Sequence, residues 1–352
     1  MRMHRNLAMM CRAMARNRTG RIVMARIEKT RVILMAAMVL VLAATFAPTL
    51  RAAEIELKGI TPWPKGYYWT GPFFKFQEMV AQRLGGKLKI KYLGGKEVIP
   101  TFKQFEGLRN GVVDVILGAA SYYTGQVPEA TAVLYTRIPP SGLRKNGYYD
   151  LMRKIHLDKG NVIYLANVGG GVSKAFRMYS NKKLTKPDFS GMKFRVSPVY
   201  IELVKALGGT PVVMSPSEIH SALERGVVDG YGWSYGGIGD FGWQEVTKYA
   251  IDHAFYSANT SILINADTWN KLPADVRAEL EAIGKDLERW ADGFMDKVHA
   301  ADNAKIVKAG VELIQFSDAD AKSYIETAYR TGWAKFLEKH PKVGPKIKAL
   351  SE

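Results

Sequence analysis

The stretch PTFKQFEGLRNGVVD, residues 100–114, finds a counterpart in SPSEIHSALERGVVD, residues 215–229. Each opens with a capping pair, Thr101 with Gln104 and Ser215 with Glu218, suited to the free N–H groups of a first helical turn. Pro216 also fits the first helical position. Each amphipathic run stops at a glycine, Gly111 or Gly226, where a left-handed residue closes the last turn. Val-Val-Asp then starts a strand. Two similar α/β lobes follow from this repeat; the alternative is a common helix–glycine–strand connection that recurs by chance.

Outward from the repeat, short apolar strands alternate with amphipathic helices, the order of an open α/β sheet. Ile55, Leu57 and Ile60 predict a strand that ends in the aromatic loop TPWPKGYYWT, residues 61–70. Phe73, Phe76, Met79, Val80 and Leu84 recur at helical spacing, and Leu88, Ile90 and Tyr92 alternate as a strand. Gly169-Gly170-Gly171, after a strand at Val162–Asn167, marks a crossover between lobes. Downstream, Leu272-Pro273 opens a helical pattern through Val276, Leu280, Ile283, Leu287, Trp290, Phe294 and Val298 to a stop at Gly310. At 1.5 Å per residue it reaches roughly 55 Å, long enough to brace both lobes; a coiled-coil dimer helix is the competing reading. The division expected is 54–172 plus 261–300 for the first lobe and 173–260 plus 301–352 for the second. Hinges are expected near Gly169–Gly171 and Asn259–Asn265.

The chain has 352 residues, 47% hydrophobic and 24% charged, which fits a globular protein of one large or two smaller domains. Its net charge of +17 suggests nucleic acid until its distribution is read. Residues 1–53 hold ten basic groups against Glu28, so nine of the seventeen charges sit there, with the lone Cys11. An uncharged run from Val32 to Leu50 follows, then Arg51-Ala52-Ala53. A basic region, an apolar region and small residues make a Sec-type signal peptide over residues 1–53, with Met24 as an alternative start. An uncleaved anchor is the other reading of so long an apolar run. Export implies the periplasm of a Gram-negative cell, and the mature part, cysteine-free, must hold together by packing. Its basic residues alternate with acids, so no nucleic-acid partner is expected.

The sequence has no Walker A loop and no H-E-x-x-H. Neither an enzyme nor a metal protein is expected. A binding reading remains. In GMKFRVSP, residues 191–198, Met192, Phe194 and Val196 alternate with Lys193 and Arg195, a short strand with Arg195 near its carboxyl end. Ligands of open α/β sheets bind outside those ends, and an arginine fork matches a carboxylate; an ion-paired surface arginine is the plainer alternative. Arg195 is expected to face the cleft, so that its loss harms binding more than folding. Aromatics gather in loops after strands: Trp63, Tyr67, Tyr68 and Trp69; Tyr122 and Tyr123; Trp233 and Tyr235. They suit a pocket wall, or the core.

Several ordered motifs together resemble the substrate-binding proteins of TRAP (tripartite ATP-independent periplasmic) transporters. They are DFSGMKFR at 188–195, ALGGTPVVM at 206–214, Glu218, ALERGVVDG at 222–230 and WNKLP at 269–273. The resemblance spans nearly the whole mature chain. It implies a two-lobed periplasmic binding protein with a hinge, a long helix touching both lobes, and ligand capture between them. It implies that Arg195 is the carboxylate-binding arginine and places a second polar contact on the strand Ser173–Tyr179, with Arg177 as candidate. Where many members carry Gln-Glu-Asn-Pro, this chain has YGWS at 231–234, which puts Trp233 near the usual asparagine and suggests a ligand with a larger apolar part. Some members hold their acid through a bound cation, for which nothing in this sequence speaks; no cofactor is expected. The implied function is an extracytoplasmic receptor that passes a small organic acid anion to small and large membrane subunits. The alternatives are an exported carboxylate-processing enzyme or a sensory module on the same fold. Candidate ligand contacts are Arg195, Arg177, Trp233, Tyr122, Tyr123, Trp69, Tyr235 and Glu218.

Overall fold

The computed structural model describes residues 54–168 and 176–352, with Met35 besides. The signal peptide and the crossover expected at Gly169–Gly171 lie outside the described residues. The strands in chain order are β1 (Ile55–Ile60), β2 (Leu88–Gly94), β3 (Val115–Gly118), β4 (Val162–Val168), β5 (Phe176–Ser180), β6 (Lys193–Val196), β7 (Thr210–Val213), β8 (Gly230–Ser234), β9 (Tyr249–Ile251), β10 (Thr260–Asn265) and β11 (Glu312–Ile314). They form two sheets, ordered β2-β1-β3-β10-β4 and β11-β9-β5-β8-β6-β7. The fold is the two-lobed α/β architecture. In the first sheet β10 alone runs against its neighbours β3 and β4; in the second, β5 alone runs against β8 and β9. Each is the strand that enters its sheet from the other lobe.

The helices that position the cleft are α1 (Gly71–Leu84), α2 (Gln104–Arg109), α3 (Ile219–Glu224), α4 (Ala274–Lys308) and α5 (Asp318–Lys339). The repeated segments take the same structure. Gly111 and Gly226 have φ of +71° and +66° and end α2 and α3. Val113 and Val228 then turn inward while Val112 and Val227 stay exposed. Asp114 accepts the N–H of Lys58 on the parallel neighbour β1 at 2.8 Å, and Asp229 accepts that of Lys193 on β6 at 2.8 Å. The two aspartates pin equivalent strand pairs, one per lobe. The caps differ. Glu218 accepts the Ser215 N–H at 2.8 Å as expected, but Gln104 is buried and donates instead to the carbonyls of Thr61 and Ile99, at 3.0 and 3.1 Å. It ties α2 to the aromatic loop rather than closing a capping box.

The second crossing passes beside the start of β5. The β10–β4 ladder ends at the pair Thr260–Val168, and beyond it Phe176 and Phe255 form an isolated bridge with N–H···O distances of 3.3 and 3.0 Å. The second crossing therefore falls at residues 252–259. The hinge expected over Asn259–Asn265 is displaced, because residues 260–265 are buried throughout as a strand between β3 and β4.

The long helix α4 runs 35 residues. Val276, Leu280, Ile283 and Leu287 face inward as the periodicity requires, but farther on the buried stripe passes through Ala291, Met295, His299, Asp302 and Ile306. Trp290, Phe294 and Val298 flank it, with the Trp290 and Phe294 rings stacked at 4.6 Å. Four-residue steps carry the stripe slowly round the helix, away from the first lobe's face and toward the second. One grip lies on each lobe. Glu288, buried, pairs with Arg144 at 2.5 Å and accepts the Asn167 N–H of β4 at 2.7 Å. Near the far end, Asp302 accepts the Gly237 N–H at 2.7 Å and Asn303 accepts from Arg177 at 3.0 Å. Burial raises the Glu288 carboxyl above its usual range, and Arg144 offsets part of that rise.

Breaking the first grip from one side leaves a buried charge unpaired, which costs about 3–5 kcal/mol, whereas removing both charges costs much less. Arg144→Met should therefore destabilise strongly, and Arg144→Met with Glu288→Gln should recover most of the loss in urea unfolding. Additive losses in the double variant would show that the two groups do not act as a pair.

Candidate functional site

Each lobe contributes its strand ends and their loops to one interlobe cavity. The first lobe supplies Trp63, Tyr67 and Trp69 from the loop after β1, and Ser121 and Tyr122 from the loop after β3. The second supplies Arg195 and Ser197 at the end of β6, with Trp233 and Ser234 at the end of β8. Asn259, on the second crossing, closes one side. The cavity has a volume of about 30 Å³ open to water, room for about two molecules at 10–15 Å³ each.

Arg195 has no exposed surface. Its Nε and Nη2 donate to the Met214 carbonyl at 3.1 and 2.9 Å, and Nη1 donates to the Gly232 carbonyl at 3.2 Å. Its guanidinium lies 5.5 Å from the Trp233 ring centre. Among the described residues it has no carboxylate within ion-pair distance. Burial lowers its pKa, and the neighbouring Tyr122 phenol works the other way. That phenol is itself pushed up to about 12 by burial, against the pull of Arg195. An arginine side chain stays protonated in proteins, so a buried cation faces the cavity with no carboxylate at ion-pair distance among the described residues. Arg195 is also more deeply set than a cleft-facing strand end suggests, since it holds three backbone contacts within its own lobe.

Arg177 stands elsewhere. Also buried, it reaches Asn303 on α4, lies 3.7 Å from Asp252, and covers the Tyr235 ring at 4.2 Å. It has an acid beside it and lies outside the cavity lining, as Tyr235 does. Tyr123 stacks on Phe105 at 4.5 Å and meets His156 at 3.2 Å in the first lobe's core. Glu218 is exposed and caps its own helix turn. Of the eight candidates, the cavity brings together Arg195, Trp233, Tyr122 and Trp69. Ser121, Ser197 and Asn259 were not anticipated. Ser197 had a signal: it lies two residues beyond Arg195, on the same strand face.

Aromatic contacts across the cleft hold the lobes together. Trp233 Nε1 donates to the Tyr67 hydroxyl at 3.0 Å, and the Tyr67 ring meets Phe241 at 4.4 Å. Tyr68 donates to Ser234 Oγ at 3.1 Å and to the Gly236 carbonyl at 3.2 Å.

Residues 150–340 match the sequence model of the bacterial extracellular solute-binding protein family 7. The chain belongs to that family. Its members are solute receptors, not enzymes. A solute-binding protein from Albidiferax ferrireducens is 26% identical over 278 residues, 75% of this chain and 80% of its own. The receptor is also similar in structure to a TRAP periplasmic solute-binding protein from Desulfovibrio salexigens with bound orotic acid, with a TM-score of 0.76 at 20% identity. That match covers 85% of this chain and 97% of the other. A TRAP solute-binding protein from Rhodoferax ferrireducens with bound malonate gives a TM-score of 0.74 at 23% identity, over 84% and 96%. Among the described residues of the receptor, no group of three or more His, Cys, Asp or Glu could hold a metal ion.

The closed arrangement depends on the Tyr68 hydroxyl, which touches two acceptors of the opposite lobe. Tyr68→Phe should cost about 1 kcal/mol, the net worth of an ordinary hydrogen bond, seen as a lower urea midpoint. An unchanged midpoint would mean that these contacts add nothing to the folded receptor.

Proposed function

We propose that the receptor captures a small organic carboxylate in this cavity, anchored by Arg195, and delivers it to the small and large membrane subunits of a TRAP transporter. One observation carries the reading. Arg195 is buried with carbonyls and a phenol around its guanidinium but no acid, while the equally buried Arg177 has Asp252 beside it. A buried cation without its counter-ion is costly, and an anion arriving in the cavity relieves that cost. The acids held by the two solved relatives, malonate and orotic acid, are of the class this reading requires. Arg195 meets the ligand's charge directly, so the proposal includes no bridging cation and no cofactor.

Binding and closure are one event in this reading. The lobes turn near Phe176 and Phe255, close over the anion and exclude water with Trp63, Trp69, Tyr122 and Trp233. Domain closure about a few hinge residues is a common response of two-lobed binding proteins. We place the receptor in the periplasm, with residues 1–53 as its export signal; among the described residues no helix is long and apolar enough to cross a membrane. Amino-terminal sequencing of extracytoplasmic protein should begin near Ala53 or Glu54, and an intact amino terminus in the membrane fraction would overturn that placement.

Removing one partner of a buried charge pair costs about 2–5 kcal/mol, or roughly 30-fold to several thousand-fold in affinity. Arg195→Ala should lose that much in calorimetric titration with a carboxylate selected by thermal-shift screening. Arg195→Lys should recover only part of it, since an ammonium lacks the fork. Because Arg195 also caps the Met214 and Gly232 carbonyls, each variant's melting temperature without ligand must be measured beside its affinity. A well-folded Arg195→Ala that binds within about threefold of wild type, less than ~1 kcal/mol, would move the anchor elsewhere.

A further inference from the structure

The anchor at Arg195 leaves open what the rest of the cavity recognises. Its lining contains one charged residue, Arg195 itself, among the described residues. Everything else that is polar there is neutral. A second carboxylate would therefore sit among aromatic rings with no cation to meet it, at the cost of an uncompensated buried charge. The neutral groups are nonetheless unsatisfied. Asn259, 6% exposed, donates through Nδ2 to Asn167 Oδ1 at 3.1 Å, and its own Oδ1 has no hydrogen-bond partner. Trp63 Nε1 and Ser197 Oγ lie near the Tyr122 and Tyr200 hydroxyls, yet neither closes a hydrogen bond. Buried polar groups normally find partners, so these mark where a ligand's second polar atom belongs. Asn259 offers an acceptor, whereas Trp63 offers a donor and Ser197 can give one too. A hydroxyl answers both kinds at once; a carbonyl leaves Asn259 Oδ1 unmet, and a methyl leaves all three.

We infer that the receptor selects monocarboxylates bearing a hydroxyl near the acid group, with Asn259 reading the hydroxyl. This rests on Arg195 as the carboxylate anchor. Pockets built to hydrogen-bond a substrate hydroxyl discriminate strongly against the analogue that lacks it, because their own groups are then left unpaired.

The test is calorimetric titration of the purified receptor with lactate, propionate, pyruvate and malate. Lactate should bind at least about tenfold tighter than each of the other three. In Asn259→Leu its advantage over propionate should disappear. Propionate or malate binding within about tenfold of lactate would overturn the hydroxyl and single-charge arguments respectively. A hydroxyl preference that survives in Asn259→Leu would remove Asn259 from the reading. If acids bind through Arg195 in another order, only this inference falls; if none of the acids binds, the carboxylate anchor fails and this inference falls with it.

Discussion

A guanidinium with no exposed surface and no acid beside it has to be supported by weaker partners, and the second lobe is arranged to supply them around Arg195. Its hydrogen bonds go to carbonyls at the ends of neighbouring segments, Met214 after β7 and Gly232 within β8. Both approaches need close packing. A Cβ at Gly232 would stand 2.8 Å from the Tyr200 ring, and one at Gly230 would stand 2.2 Å from the Tyr179 carbonyl, so β8 can lie against β5 and β6 only with glycine there. Asp229, holding the Lys193 N–H, fixes the start of the same strand pair. The strand register that places Arg195 opposite Tyr231 and the glycines that let it reach across thus belong to one constraint. The charge remains only partly met, which is tolerable in a protein whose working state includes an anion.

The connection between lobes answers a different requirement: rotation without loss of either core. Each sheet receives one strand from the other lobe, β10 in the first and β5 in the second, inserted antiparallel among otherwise parallel neighbours. Those strands are interior to their sheets, and the Phe176–Phe255 bridge ties the second crossing to the start of β5. Helix α4 spans the same junction from outside. Its grip through Glu288 is a buried ion pair with a backbone contact, whereas its grips through Asp302 and Asn303 reach a glycine turn and Arg177. The first is tied to β4, the second to the other lobe.

Much of this was legible in the sequence because it is local. Helix-stop glycines, strand alternation and the Val-Val-Asp starts depend on neighbours a few positions away, so the repeated units and the long helix could be read directly. Arg195 was legible from strand polarity, which places its side chain near a carboxyl end. Telling it from Arg177 was not possible by that route. Both arginines sit on short strands among apolar residues, and what separates them is Asp252, which pairs with one and reaches the other nowhere. Tyr123 and Tyr122 are adjacent, yet one turns into the core against Phe105 and the other into the cleft against Trp63. A loop without regular period gives no facing rule. Asn259 carried no signal at all: its role arises only where the second crossing passes the cavity. Gln104 looked like a capping partner because spacing alone defines that motif, and burial under the aromatic loop gave it other acceptors.

The cavity wall is shared between lobes, and that division has an energetic consequence. Arg195 and Ser197 stay with the second lobe, Trp63 and Tyr122 with the first, and Asn259 with the crossing. An anion at Arg195 in an open cleft would gain one charged partner but keep its water; only closure brings the aromatic wall around it and strengthens the ion pair by excluding solvent. The ligand's free energy therefore differs between open and closed forms, and a ligand shifts such an equilibrium only by that difference. The Tyr68 and Trp233 contacts already favour closure without a ligand. They lessen the work asked of the anion and correspondingly raise its apparent affinity, since less of the binding energy is spent on bringing the lobes together. The same contacts oppose release, so reopening must come from something that binds the open form better. A receptor that must give up its cargo needs that opposition to be modest, and a few neutral hydrogen bonds between the lobes, with no interlobe ion pair among the cavity residues, supply it.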